Sequence, residues 1–136
     1  MLTEDAVINL LCQYLSADGW KIVSTAMPNQ RGTDVVATRA GLRLEVEAKG
    51  AGSSKAHTAR FGKPFDQAQV KVHVGEAVLK ALAVVAEGKA QAAIAFPDGR
   101  RHRSVVAPVR PALGRLGITV FWVTEDGTVS AEGPPD

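Results

Sequence analysis

Apolar residues recur along this chain with two different periods, and the switches between them mark its elements. Val7, Ile8, Leu11, Tyr14 and Leu15 fall on one helical stripe that ends near Asp18-Gly19. Thr3 stands where an N-cap is wanted, and Glu4 and Asp5 set two acids against the positive end of the helix dipole. Residues 20–24 read as a strand, with Trp20 at the edge of the core, and residues 27–31 as a loop. From Asp34 the period drops to two. Residues 34–37 are a short buried run, Ala40-Gly41 is a tight turn, and residues 42–49 return as a second strand. On that strand Leu44, Val46 and Ala48 alternate with Glu45, Glu47 and Lys49, the pattern of a β-hairpin with one wet face.

The helical period resumes at residue 65 or 66 and runs to Glu87. Val70, Val74, Val78, Ala81, Leu82 and Val85 are expected to pack on the sheet. Gln69, His73, Glu76 and Lys80 form a separate polar stripe, with Gln69 and His73 one turn apart. Residues 92–96 are almost wholly apolar, as in a strand buried on both faces. Pro97-Asp98-Gly99 turns the chain, and Pro108 and Pro111 break residues 100–116 into helical pieces. Residues 118–124 read as another buried strand and 128–131 as a short edge strand. A helix between two such strands implies a right-handed crossover and a parallel pair. The expectation is a single α/β domain over residues 1–131, with a mixed central β-sheet flanked by helices in the order α-β-β-β-α-β-α-β. Residues 132–136 read as a flexible tail.

Composition narrows the class. With 136 residues, 46% hydrophobic and 22% charged, the chain has apolar material for one soluble core. A formal charge of +2 is too small to identify a partner. Its distribution says more: Lys49, Lys55, Arg60, Lys63 and Lys71 face the single acid Asp66 across residues 49–71, and residues 100–115 carry five arginines and no acid. Clustered cations of this kind attract polyphosphate. Cys12 is the only cysteine, which excludes an intrachain disulfide. The acidic amino terminus is unlike a signal peptide, and no apolar run approaches the ~20 residues of a membrane helix. A cytoplasmic protein with no membrane partner is expected.

The candidate chemistry lies in the hairpin. Asp34 begins one strand while Glu47 and Lys49 end the other, so two acids and a lysine can converge, hold a hard divalent cation and activate water beside it. Glu-x-Lys on a half-wet strand is common, and its neighbours give it weight here. Glu4 falls in line with Ile8, Leu11 and Leu15, so it points inward and needs a partner, which a metal or Lys49 would supply. Residues 51–63 form a basic loop directly after the strand. Ser53, Ser54, Lys55, His57, Thr58 and Arg60 can donate to phosphate there, with Lys63 at its end and Phe61 able to stack on a base.

Asp34 followed by Glu47-Ala48-Lys49, in a helix–strand–hairpin–helix frame, resembles the PD-(D/E)xK phosphodiesterase superfamily, which includes restriction endonucleases and archaeal Holliday-junction resolvases. The resemblance spans residues 4–123. Arg31-Gly32-Thr33 precedes Asp34, so the motif's proline is absent. The resemblance implies a restriction endonuclease-like fold and a Mg²⁺- (or Mn²⁺-) dependent nuclease. Asp34, Glu47 and the Ala48 carbonyl would hold the ion, and Lys49 would orient or help deprotonate the attacking water. Glu4, or less directly Glu45, would hold a metal-bound water or a second ion. Gln69 matches a glutamine that helps position the site in several branches, with His73 where that pattern has tyrosine. Lys55, His57, Arg60, Lys63 and His73 would contact nucleic acid, DNA ahead of RNA, and small members often form a homodimer. The alternative is a nucleic-acid-binding or interaction module on the same fold without turnover.

Overall fold

The computed structural model describes residues 1–26, 32–52 and 63–133. Its central hairpin joins β2 (Val35–Arg39) to β3 (Leu42–Ala48) through Ala40 and Gly41, at φ 51° and 80°. Two successive left-handed residues are what a type I′ turn requires, and they set the register from Arg39 opposite Leu42 to Val35 opposite Val46. β1 (Lys21–Thr25) pairs antiparallel with β2, with an irregularity between Ile22 and Ser24. On the other side β3 runs parallel to β4 (Gln91–Pro97), and β4 parallel to β5 (Thr119–Val123). β6 (Val129–Glu132) closes the sheet antiparallel to β5, giving the order β1-β2-β3-β4-β5-β6. Glu132 is thus the last residue of a strand, paired with Val120; residues 134–136 lie outside the described residues.

Strand alternation sorts the side chains into two apolar layers. Val35, Ala37, Leu44, Val46, Ala48, Ala93, Ala95, Phe121 and Val123 pack with Val7, Ile8, Leu11 and Leu15 of α1 (Glu4–Ala17). Ala92, Ile94, Phe96, Val120 and Trp122 face the other way. They pack with α2 (Gln67–Glu87), α3 (Arg100–Val106) and α4 (Arg110–Arg115), the last two linked by a 3₁₀ turn, Ala107–Val109. A mixed sheet flanked by helices follows, as the periods imply. Among the described residues no helix is long and apolar enough to cross a membrane.

The inward stripe of α2 differs from the expected one. Val70, Val74, Ala77 and Ala81 are buried, Val78 and Val85 are half-buried, and Leu82 is 38% exposed. Steps of four residues overshoot a helical turn by ~40° each. The series 70, 74, 78, 82 therefore walks off the sheet, and Leu82 ends on the solvent side.

Candidate active site at the end of the hairpin

The same alternation decides which side chains can meet. Val35 and Val46 face α1, so their neighbours Asp34 and Glu47 face α2, opposite each other across the hairpin's end. Both carboxylates are buried, at 8% and 6% exposure. β2 has no ladder donor or acceptor left for Ala48, and the Asp34 carboxylate takes that place. Its Oδ2 accepts from the Ala48 N–H at 2.9 Å. In a strand the carbonyl of a residue points to the same edge as its N–H, so the Ala48 oxygen also lies on the Asp34 side.

Two lysines complete the group. Lys80 of α2 donates to Glu47 Oε2 at 2.9 Å, and Lys49 donates to Glu76 Oε1 at 3.3 Å. Glu4 enters from the first turn of α1, where Thr3 caps the helix by accepting from the Ala6 N–H. That turn sits directly on the strand's exit: a Cβ on Gly50 would lie 2.4 Å from the Glu4 nitrogen.

The charges feel one another. Burial raises Glu47 from the ordinary 4.5 to about 7, and repulsion from Asp34 adds to it, against the pull of Lys80 and Lys49. Glu4 is also raised, by burial first and Asp34 second, with Lys49 opposing. Lys80 is raised in turn, chiefly by its hydrogen bond to Glu47. Desolvation wins over pairing at Glu47 because Lys80 is 59% exposed and its charge is screened by water. A cleft of about 340 Å³ opens beside Thr33, Glu45, Glu47 and Lys80.

The remaining residues singled out in the sequence make other contacts, Glu45 at the cleft and His73 within reach of the charge of Lys49. Glu45 accepts from Thr33 Oγ1 at 3.1 Å and pairs with Arg43 at 3.0 Å. Gln69 Oε1 accepts from the Asp66 N–H at 2.9 Å while Asp66 Oδ1 accepts from the Gln69 N–H at 2.9 Å, a capping box that starts α2. His73 stands edge-on to Phe65 at 4.4 Å; burial lowers its pKa, and the charge of Lys49 lowers it further. Lys63 is exposed. Lys55, His57 and Arg60 lie outside the described residues. Among the described residues no three carboxylate, imidazole or thiolate groups are gathered to hold a metal ion. Asp34 is turned to Ala48 and Glu47 to Lys80 instead.

Sequence reasoning missed two participants. Lys80 was visible only as one member of a polar stripe, and nothing local says that it reaches Glu47. His102 is 3% exposed, stacks on Phe96 at 5.6 Å and bonds the Gly50 carbonyl, while its Nε2 has no partner among the described residues. Burial, with His73 nearby, lowers its pKa to about 4, so it is neutral at physiological pH.

No protein-family model matches the chain, and no curated protein matches it. Among solved structures, SfsA of Pyrococcus furiosus, determined in complex with Ca²⁺, is similar over 91% of this chain and 58% of that one, at 14% identity and a TM-score of 0.43. The chain therefore spans less than two thirds of that protein's length, and a likeness at this level assigns it to no family.

Proposed function

We propose that this chain is a metal-dependent phosphodiesterase that hydrolyses nucleic acid on a restriction endonuclease-like fold. One observation carries the reading: two buried carboxylates face each other beside a lysine, and burial with mutual repulsion holds Glu47 at about 7. Such a pair lacks positive charge. In the present arrangement the exposed Lys80 supplies it.

The donors suit a hard cation. Asp34, Glu47, the Ala48 carbonyl and Glu4 are all oxygen ligands, which favours Mg²⁺ or Mn²⁺ over a thiophilic metal. Glu47 would exchange Lys80 for the ion, and Asp34 has a second oxygen to offer beyond the one on Ala48. Bound there, the ion would supply Lewis acidity toward the phosphate and lower the pKa of its water. Lys49 would leave Glu76 to orient the attacking water and offset charge on the phosphate, as a compact ammonium can. Glu4 would hold a water on the α1 side. Lys63 and His73, with Lys55, His57 and Arg60 of the basic loop, would meet the nucleic-acid backbone, DNA ahead of RNA.

A second reading keeps the fold and the binding but not the turnover. The Lys80–Glu47 ion pair and the lack of a three-ligand group among the described residues favour it. Purified chain with Mg²⁺ or Mn²⁺, offered single-stranded, duplex and branched nucleic acid, separates the two. Cleavage that Lys49→Ala abolishes, with circular dichroism unchanged, supports the enzyme. Salt-dependent binding without cleavage, and without calorimetric heat on adding a divalent ion, supports the module.

The acidity of Glu47 gives the ion's affinity a pH dependence. Its proton must leave before the carboxylate ligates, so Mn²⁺ affinity should fall about tenfold per pH unit below about 7 and level off above. Isothermal titration from about pH 5.5 to 8 reads this directly. A flat profile would remove Glu47 from the ligand set.

A further inference from the structure

Along the solvent side of α2, Ala68, Val72, Gly75, Leu79, Leu82 and Ala86 follow one another at steps of four and three residues. That is the spacing of a coiled-coil seam. All six are exposed, Val72 to 61% and Leu79 to 70%. The opposite face of the helix is the one that holds it to the sheet, so among the described residues this stripe takes no part in either apolar core.

Gly75 points to what covers it. In the interior of a helix, glycine is destabilising relative to alanine. Gly75 has no left-handed backbone to require it, and a Cβ there would meet nothing within 4 Å. Neither conformation nor internal packing accounts for it. Close approach of another backbone or a large side chain from outside does.

We infer that α2 is the seam of a homodimer, two copies packing antiparallel about a two-fold axis near residue 77. In that register Leu79 enters the space over the partner's Gly75, and the partner's Leu79 does the same in return. Val72 meets the partner's Leu82, and Ala68 meets the partner's Ala86. Small residues oppose large ones at the centre, so one sequence supplies both the knob and the hole, which is what a second copy offers and an arbitrary helix does not. On the flank nearest β3 the two-fold sets both Glu76 side chains centrally with both Lys80 side chains about one turn out. Glu76 is already paired with Lys49 and Lys80 with Glu47 in each copy, so neither stands as an unpaired charge beside the seam. A helix of 21 residues is ~31 Å long and ~10–12 Å across, which keeps the contact below the ~800 Å² per partner of a standard interface. A contact of that size makes the dimer concentration-dependent. None of this rests on the phosphodiesterase reading.

Sedimentation velocity over a concentration series tests it with two variants away from the proposed catalytic residues. Wild type should pass from monomer to dimer as concentration rises, and Leu79→Lys should stay monomeric with its melting temperature at low concentration unchanged. Gly75→Ala discriminates most sharply, because its two effects have opposite signs: the dilute protein should melt higher, while dimerisation weakens tenfold or more. A wild type that stays monomeric at every concentration overturns the inference. So does a dimer that survives Leu79→Lys, which would place the contact at a sheet edge, or a Gly75→Ala variant that associates as well as wild type.

Discussion

Glu47→Gln is expected to cut cleavage sharply and, at pH 8, to make the protein more resistant to heat. The two effects share a cause. Glu47 has a folded-state pKa of about 7 against an ordinary 4.5. Below 4.5 it is protonated in both folded and unfolded chains and costs nothing. Between 4.5 and 7 the unfolded chain releases the proton while the folded one keeps it, so stability drains away as pH rises. Above 7 the folded protein carries an ionised carboxylate with 7% of its side chain exposed. The difference corresponds to about 3 kcal/mol as an upper figure. Glutamine has the same shape without the charge, and Lys80, already largely in water, loses little by its partner's neutrality. Melts of both proteins should therefore separate by several degrees at pH 8 and converge as pH falls toward 4.5. Activity should drop by about a hundred- to a thousandfold, as when a group that stabilises transition-state charge is removed. A variant that melts below wild type at pH 8 would mean that the Lys80 pairing outweighs burial, and that the site is not short of positive charge.

The hairpin was legible because its geometry is arithmetic. A period of two with a two-residue turn at Ala40-Gly41 fixes which side chains share a face, and Asp34 opposite Glu47 follows once Val35 pairs with Val46. The polar network around that pair was not, because it depends on where α2 crosses β3, and no local pattern encodes the crossing. Lys80 meets Glu47 and Glu76 meets Lys49 across 33 and 27 residues of chain. Seen locally, Glu76 and Lys80 look like an ordinary pair one helical turn apart. The arginine run at residues 100–115 misleads for the opposite reason. It has no acid in its own stretch, yet Arg103 pairs with Asp98 at 2.7 Å and lies 4.3 Å over the ring of Trp122. Arg110 pairs with Glu132 at 3.0 Å. Much of that basic charge is tied into the fold, which moves the weight of any nucleic-acid contact toward the residues around the hairpin. Gln69, singled out for its spacing to His73, also caps the start of α2, which that spacing does not reveal.

Gly50→Ala is expected to lower the melting temperature by roughly 5–15 °C and to reduce cleavage, although no functional group is lost. Gly50 follows Lys49 at the point where three elements converge. Ala51 donates to the Leu2 carbonyl at 2.7 Å, His102 bonds the Gly50 carbonyl, and α1 begins against the same turn of chain. An added methyl would stand 2.4 Å from the Glu4 nitrogen and 2.7 Å from the Thr3 carbonyl carbon. Both are backbone atoms, so no side chain can swing aside, and α1 or the strand exit must shift instead. Overpacking of this kind costs about 1–3 kcal/mol and sometimes more. The shift would also carry Glu4 away from Asp34 and Lys49, whose charges it feels. Gly114→Ala, at a glycine whose added methyl meets nothing within 4 Å, is the matched control and should not destabilise. If the two variants melt alike, α1 is not seated on Gly50. Glu4 would then lose its place beside the carboxylate pair, while Asp34, Glu47 and Lys49, held by the hairpin alone, would keep theirs.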